Sequence, residues 1–393
     1  MAQLLFKGKQ FVQNHHLTVK YHELIPQKEK SLTDKISLHD NLIIHGDNLK
    51  VLKALLPTYG GKIKCIYIDP PYNTGNEKWA YNDNVNSPMM QEWLGKIVDK
   101  EDLTRHDKWL CMMTPRLKLL RELLSDDGVI FTSIDDNELA RLQLLMEDCN
   151  FITDVIVWRK SGDSRWGKMK NVTTFRKDHE YILVGYKTGN VEFNKMWELP
   201  QFINDYNNID NDPRGDYKAG SISRKEEASN PNHANYYTVT SPSGKKITRQ
   251  WDISKEKFDK LDRDKRLYWG KAGDNVPAIK IFLKEKRFVT SYSVFLEKGN
   301  TTQAKEELRE IFGLEEEDFD VFPNPKPYFL IETLIQLITN KDSIILDSFA
   351  GSGTTAHAVL SLNKEDNGNR KFILVECEDY ADKITAERVR RVI

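Results

Sequence analysis

Cysteine is scarce in this chain of 393 residues. There are four, Cys65, Cys111, Cys149 and Cys377, far apart and never as Cys-x-x-Cys. That spacing argues against a disulfide framework and against a zinc site, and no metal site is expected. The four read as small buried hydrophobes in a reducing cytoplasm. Long apolar runs are missing as well. No uninterrupted stretch approaches the ~20 residues that cross a bilayer. The start, Met-Ala-Gln-Leu-Leu-Phe-Lys-Gly-Lys, has no apolar segment of the signal-peptide kind, so no membrane contact is expected. No Gly-x-x-x-x-Gly-Lys-Ser/Thr occurs, so any ATP-driven step belongs to another chain. An excess of one charge is also absent: 58 basic and 59 acidic residues leave a net −1. This neither requires nor excludes a polyanion, which local basic patches bind. Hydrophobic residues at 39% and charged residues at 30% fit a soluble globular protein with room for two or three domains.

What is there centres on Asp69-Pro70-Pro71-Tyr72, at the end of the apolar run Ile66-Tyr67-Ile68. The prolines fix φ near −65° and hold their carbonyls in place. Asp69 presents an acceptor and Tyr72 a flat face at one rigid spot. That pairing suits an exocyclic amino group on a planar base, which donates to the carboxylate and a carbonyl while its ring stacks on the aromatic. The bland alternative for Asp69 is an ordinary turn acid.

Around this motif the pattern alternates strand and helix. Leu42–His45 reads as a strand and Gly46-Asp47-Asn48 as a turn. Leu49, Leu52, Leu55 and Leu56 then share a helical face that Pro57 is expected to end. Strand Cys65–Ile68, a helix over 110–124 closed by Ser125–Gly128, strand Val129–Ile134 and a helix over Glu138–Met146 follow. Such alternation predicts an α/β fold, Rossmann-like, with a mainly parallel twisted sheet and helices on both faces. Asp154–Arg159 and His179–Lys187 look like a hairpin around a basic loop. From about 189 the rhythm is lost, and the segment reads as an inserted mixed domain. The α/β pattern returns at Phe322–Pro327, giving four parts: an extension 1–40, a catalytic half 41–188, an insert 189–320 and a cofactor half 321–393.

The second chemical segment is Ile344-Ile345-Leu346-Asp347-Ser348-Phe349-Ala350-Gly351-Ser352-Gly353-Thr354-Thr355-Ala356. Gly351, Gly353 and Ala356 match the fingerprint in which glycines let a backbone approach a ligand that sits at a helix N-terminus. Glu376 ends the next strand about 20 residues on, where an acid holds ribose hydroxyls. Its bland reading is a solvated strand end. A dinucleotide and S-adenosylmethionine would both fit this turn. The Asp-Pro-Pro-Tyr segment favours the methyl donor, since a dehydrogenase has no need of it.

The two segments together resemble the signature motifs of amino-group DNA methyltransferases, and their order resembles the β class. More narrowly, His45-Gly46-Asp47-Asn48-Leu49, Asn211-Asp212-Pro213-Arg214-Gly215 and the run Tyr268–Pro277 resemble modification subunits of type III restriction systems. The resemblance runs from about Asn41 to the end. Many such subunits continue well past Ile393, so the chain is either a compact member or lacks a C-terminal part. The resemblance implies methyl transfer from S-adenosylmethionine to N6 of a flipped adenine in double-stranded DNA, a homodimer, and a restriction (nuclease–helicase) subunit as partner. Cytosine N4 remains the alternative acceptor, although many cytosine enzymes have Ser in place of the motif's acid. A role mainly in delivering the nuclease also remains open.

By residue, Asp69, Pro70, Pro71 and Tyr72 carry catalysis in that scheme. Asp347, Phe349, Gly351, Gly353, Thr354 and Glu376 hold the cofactor. Asp47 and Asn48 resemble the segment beside its adenine, with helix capping as the plain reading of Asp47. Lys326 and Pro327 resemble the segment that closes over its methionine moiety. Arg159, Lys160, Arg165, Lys168, Lys170, Arg176 and Lys177, with Trp166 among them, are read as phosphate contacts, against the plain reading of a solvated charged face.

Overall fold

In the computed structural model the described residues are 4–74, 103–161, 175–197, 206–285, 288–315 and 322–393. The chain divides into two compact units, one of Met1–Asn194 with Thr290–Ile393 and the other of Lys195–Val289. The inserted unit is therefore shorter than the 189–320 expected. Residues Val294–Phe295 form a strand of the main sheet, and the helix Thr301–Phe312 also belongs to the first unit.

The first unit is built on an eight-stranded sheet. Its strands are β1 (Leu42–His45), β2 (Ile63–Ile68), β3 (Leu124–Ile134), β4 (Ile152–Arg159), β5 (His179–Tyr186), β6 (Val294–Phe295), β7 (Ile344–Asp347) and β8 (Lys371–Glu376). Their spatial order is β1-β8-β7-β2-β3-β5-β4-β6. The run from β1 to β3 is parallel throughout. β5 enters antiparallel between β3 and β4, which gives the expected hairpin, and β6 lies parallel to β4. The central strands read as continuous Ile, Leu, Val and Phe because helices cover both of their faces. Ile66, Ile68, Ile130, Leu346, Ile373 and Val375 have no exposed surface.

Helices α1 (Asn48–Tyr59), α2 (Leu103–Leu123), α3 (Leu139–Asp148), α4 (Thr301–Phe312), α5 (Tyr328–Ile338), α6 (Thr354–Asp366) and α7 (Ala386–Val392) complete the unit. Two local expectations change. α1 runs through Pro57 to Tyr59 rather than stopping at the proline. Pro57 has no N–H to give the Lys53 carbonyl, a loss offset by the buried Leu55 and Tyr59, which keep that turn docked. Ser125–Gly128 does not close α2 as a turn but belongs to β3, whose pairing with β2 shifts register between Ile63 and Cys65. The first residues are not a detached extension. Short helical turns at Lys9–Val12 and His15–Thr18 pack on α2, with Val12 buried against Cys111 and Lys9 paired to Asp148 at 2.6 Å. Cys65, Cys111 and Cys149 are buried as expected, while Cys377 is half-buried. No helix among the described residues is long and apolar enough to cross a membrane.

The second unit has its own small core of Ile222, Val239, Ile247, Trp251, Phe258, Leu267 and Trp269. A hairpin of Tyr236–Thr240 and Lys246–Gln250, a three-stranded antiparallel sheet and the helix Lys255–Arg263 surround it. The segment Asn211–Gly215 is tied down by charge: buried Lys280 pairs with Asp210 at 2.5 Å and Asp212 at 2.9 Å, and Arg214 reaches Asp212 at 2.8 Å.

Candidate active site

The two sequence motifs, far apart in the chain, leave neighbouring parallel strands. β7 pairs with β2, Ile345 opposite Cys65 and Leu346 opposite Ile66. Asp69 and Asp347 therefore emerge side by side at the carboxyl edge of the sheet, where α/β folds hold ligands. A cavity of about 420 Å³ opens there, a size that suits a small-molecule ligand. Its wall includes Asp69, Pro71, Lys326, Asp347, Phe349, Gly351, Thr354 and Glu376, all singled out from the sequence, together with Tyr67, Phe322 and Tyr380, which were not. Gly353 supports this wall without lining it. Its φ is +80°, and a Cβ there would lie 3.1 Å from the Thr385 carbonyl oxygen. Gly351 also has positive φ, and its carbonyl accepts the Thr385 hydroxyl at 2.6 Å.

The acids along this edge are committed differently. Asp347 is spent on its own turn: Oδ1 accepts the Phe349 N–H at 2.9 Å and Oδ2 the Thr355 hydroxyl at 2.5 Å. Burial pushes its carboxyl up to about 7 despite those bonds. Glu376 accepts the Gly351 N–H at 2.8 Å through Oε2, and the N–H groups of Cys377 and Glu378 through Oε1. It is a buried wall residue rather than a solvated strand end. Asp47 caps α1, accepting from Leu49 at 2.9 Å and Lys50 at 3.2 Å, and does not line the cavity. Asn48 is buried behind the wall; it donates to the Ser348 carbonyl at 2.9 Å and accepts from Arg116 at 2.6 Å.

Asp69 is the acid with a cation on it. Lys326 Nζ donates to its Oδ2 at 2.7 Å, and the same ammonium sits 4.9 Å from the centre of the Tyr72 ring. Burial raises the Asp69 carboxyl above its ordinary range, against the pull of Lys326. Burial pulls Lys326 down, but Asp69 and Glu180 outweigh it and hold the lysine above its usual value. Glu180, on β5, is a further buried acid, one that sequence reasoning missed. It accepts the Tyr72 hydroxyl at 3.0 Å through Oε2 and pairs with Lys160 at 3.1 Å through Oε1. Burial disfavours its charge, yet the two lysines hold it below the usual range. Its only trace in the sequence is an acid beside an apolar strand run. Pro71 is fixed through its carbonyl, which accepts the Trp109 indole N–H at 2.7 Å. The turn leaves through Asn73 at φ +56°, whose side chain donates to the wholly buried Glu138, which His106 also contacts.

Behind the glycine turn, buried Arg388 reaches Thr354 at 2.9 Å, Ser352 at 3.2 Å and Glu307 at 2.6 Å. Burial pulls its guanidinium down to about 10. Lys326 lines the cavity, and Pro327, the N-cap residue of α5, does not. Of the basic cluster, Lys160 belongs to the charge network just described. Lys177 pairs with Asp136 at 2.5 Å, Arg159 donates to the Leu296 carbonyl at 3.2 Å, and Arg176 is exposed. Arg165, Lys168 and Lys170 lie outside the described residues. No group of side chains suited to a metal ion occurs among the described residues.

The family described as DNA methylase matches residues 63–387. The Mod subunit of the type III restriction-modification enzyme StyLTI, from Salmonella typhimurium, is 32% identical over 99% of this chain and 62% of that subunit. The Mod subunit of EcoPI, from Escherichia phage P1, is 32% identical over 87% of this chain and 58% of its own length. The chain thus spans about three fifths of those relatives. The type II methyltransferase M.KpnI of Klebsiella pneumoniae is 32% identical over 88% of this chain and 82% of its own. Among solved structures, the cytosine-N4-specific PvuII DNA methyltransferase aligns over 89% of this chain and 86% of its own at 12% identity, with a TM-score of 0.46. With the family match spanning both motifs and most of the chain, the protein belongs to the DNA methylase family.

Proposed function

We propose that the chain transfers a methyl group from S-adenosylmethionine to the N6 amino group of an adenine in duplex DNA. The observation that carries this reading is the shared cavity wall. Asp69, with Tyr72 beside it, faces the glycine turn and Glu376 across one cavity at adjacent strand ends. The donor set suits the cofactor: a backbone that approaches closely at Gly351, an acid at Glu376, and the aromatic faces of Phe349, Phe322 and Tyr380. When bound there, S-adenosylmethionine supplies an electrophilic methyl group on sulfur.

The chain's part is alignment. A base inside a duplex cannot reach this wall, so it is flipped out at a cost of a few kcal/mol. Stacking on Tyr72 returns about 1–3 kcal/mol. Asp69 and the Pro70 carbonyl accept the two amino protons, which turns the nitrogen lone pair toward the cavity for in-line attack. The same acceptors stabilise the positive charge that develops on nitrogen. Asp69 does not have to remove a proton first, because the N-methylated cation is acidic enough to lose one afterwards.

The second unit, Lys195–Val289, lies between the two motifs in the chain, and we assign it target recognition. Arg176 and the basic segment before it are assigned phosphate contact. The likeness to Mod subunits favours a modification and recognition role in a type III-like system, working as a homodimer with a separate restriction subunit. Incubating the protein with labelled cofactor and duplex DNA, then digesting to nucleosides, tests the central claim. N6-methyladenine is expected, and N4-methylcytosine as the sole product overturns the choice of base. Mapping modified positions in DNA from cells expressing the chain gives the target sequence.

A further inference from the structure

Lys326 occupies a place that the proposed reaction needs for something else. Its ammonium combines two contacts assigned to the flipped base: the amino group's bond to Asp69, here made by Nζ to Oδ2 at 2.7 Å, and the ring's place on Tyr72, here 4.9 Å from the ring centre. Asp69 Oδ1 is shut off from solvent and has no hydrogen-bond partner among the described residues, so an incoming donor reaches the carboxylate through Oδ2, the oxygen Lys326 holds. Ammonium and base cannot both lie on that oxygen and that ring face.

The surroundings give the ammonium a second home. Glu180 Oε2 is 3.8 Å from Lys326 Nζ, within a side-chain rotation, while Lys160 stays on Oε1. Two carboxylates face two ammoniums, so moving Lys326 from Asp69 to Glu180 leaves the total charge unchanged. It frees one negative charge where the amino nitrogen becomes positive. The backbone does not have to follow. Lys326 lies between Pro325 and Pro327, which restrict it on both sides, and its carbonyl accepts the Thr354 hydroxyl at 3.3 Å.

Resting on the methyl-transfer reading above, we propose that Lys326 is a tethered stand-in for the flipped base, holding Asp69 and Tyr72 until the base displaces it onto Glu180. Lys326 and Glu180 are then positioning residues that set the cost of base entry. Before DNA binds, the ammonium holds the half-buried Asp69 carboxylate and covers the aromatic face.

The test compares two duplexes bearing the mapped target sequence, one with adenine and the other with an abasic residue at the methylated position. Affinities of the full chain for each are measured by fluorescence anisotropy without cofactor, for wild type, Lys326→Met and Glu180→Gln. Only the adenine duplex has to move the ammonium. Lys326→Met is expected to raise the adenine-to-abasic affinity ratio by about tenfold, an effect in the range of a desolvated cation–π contact with its ion pair. Glu180→Gln removes the second home and is expected to lower the ratio several-fold. A general loss of DNA contact changes both duplexes alike and cancels. Should Lys326→Met not fold, Lys326→Gln is read by the same ratio. An unchanged ratio, or one that falls without the lysine, overturns the stand-in role and leaves methyl transfer standing. A wild type that methylates no DNA overturns the underlying reading instead.

Discussion

The turn after β2 and the turn after β7 leave neighbouring parallel strands at one edge of the sheet, and each begins with an acid, half-buried at Asp69 and buried at Asp347. They use that acid in opposite ways. Asp347 commits both oxygens to its own turn, through the Phe349 N–H and the Thr355 hydroxyl. Asp69 gives its turn nothing of the kind. The prolines and the Trp109 bond to Pro71 shape the Asp69–Asn73 turn, and the carboxylate is left to a lysine from another segment. An acid at a strand end is structural when the turn needs its oxygens. It is free for chemistry when proline, or an outside donor, has already fixed the backbone.

The largest test of this contrast is Asp69→Ala. Methyl transfer is expected to fall by at least about 10²–10³-fold, the loss typical of a preorganised charge partner, while DNA binding measured by gel shift is retained. Retained turnover would make Asp69 another turn acid. Next in size is Gly353→Ala on the other side of the cavity. A residue with a Cβ held at φ +80° costs about 1–2 kcal/mol and would crowd the Thr385 carbonyl, so cofactor affinity by calorimetry is expected to drop about tenfold with little change in DNA affinity.

The acids also differ with pH. Asp347 titrates near 7 in the folded protein against an ordinary value of 3.8, so the native state holds a proton that the unfolded chain has lost. Stability is therefore expected to decline as pH rises across that window, and Asp347→Asn is expected to flatten the decline in thermal melts. For Asp69 the raised carboxyl predicts an activity loss as pH falls that begins above the ordinary aspartate range, seen in kcat against pH. The smallest effect belongs to Asp47. Asp47→Ala removes a cap worth about 1 kcal/mol, Asp47→Asn keeps it, and neither is expected to change cofactor affinity beyond the loss of folded protein.

Much of the fold was legible because local physics decided it. Continuous apolar runs such as Ile344–Leu346 could only be inner strands, and a glycine turn before a helix start could only bend one way. Proline and positive-φ glycine mark their turns wherever they fall in the chain. Where tertiary burial competed, the local reading failed: α1 passes Pro57 because Tyr59 is buried beyond it, and Ser125–Gly128 extends a strand because β2 pairs with it. Glu180 and Arg388 were hidden for the same reason. One is an acid beside an apolar strand run, and the other sits near exposed Arg390 and Arg391. Only packing shows which charges are buried against partners. Lys160, read as a phosphate contact from its basic neighbours, has its ammonium on Glu180 in the structure, a partner its local sequence does not name.

By itself, then, the sequence determined the two chemical turns, since Asp-Pro-Pro-Tyr and Gly-Ser-Gly constrain their own backbones and carry their own donors and acceptors. The tertiary structure decided that they share one cavity, because strand order is set by which apolar faces pack together and not by distance along the chain. It also decided which acid is free to act. That depends on partners brought in from β5 and from the Pro325–Pro327 segment, and no local pattern around Asp69 could name them.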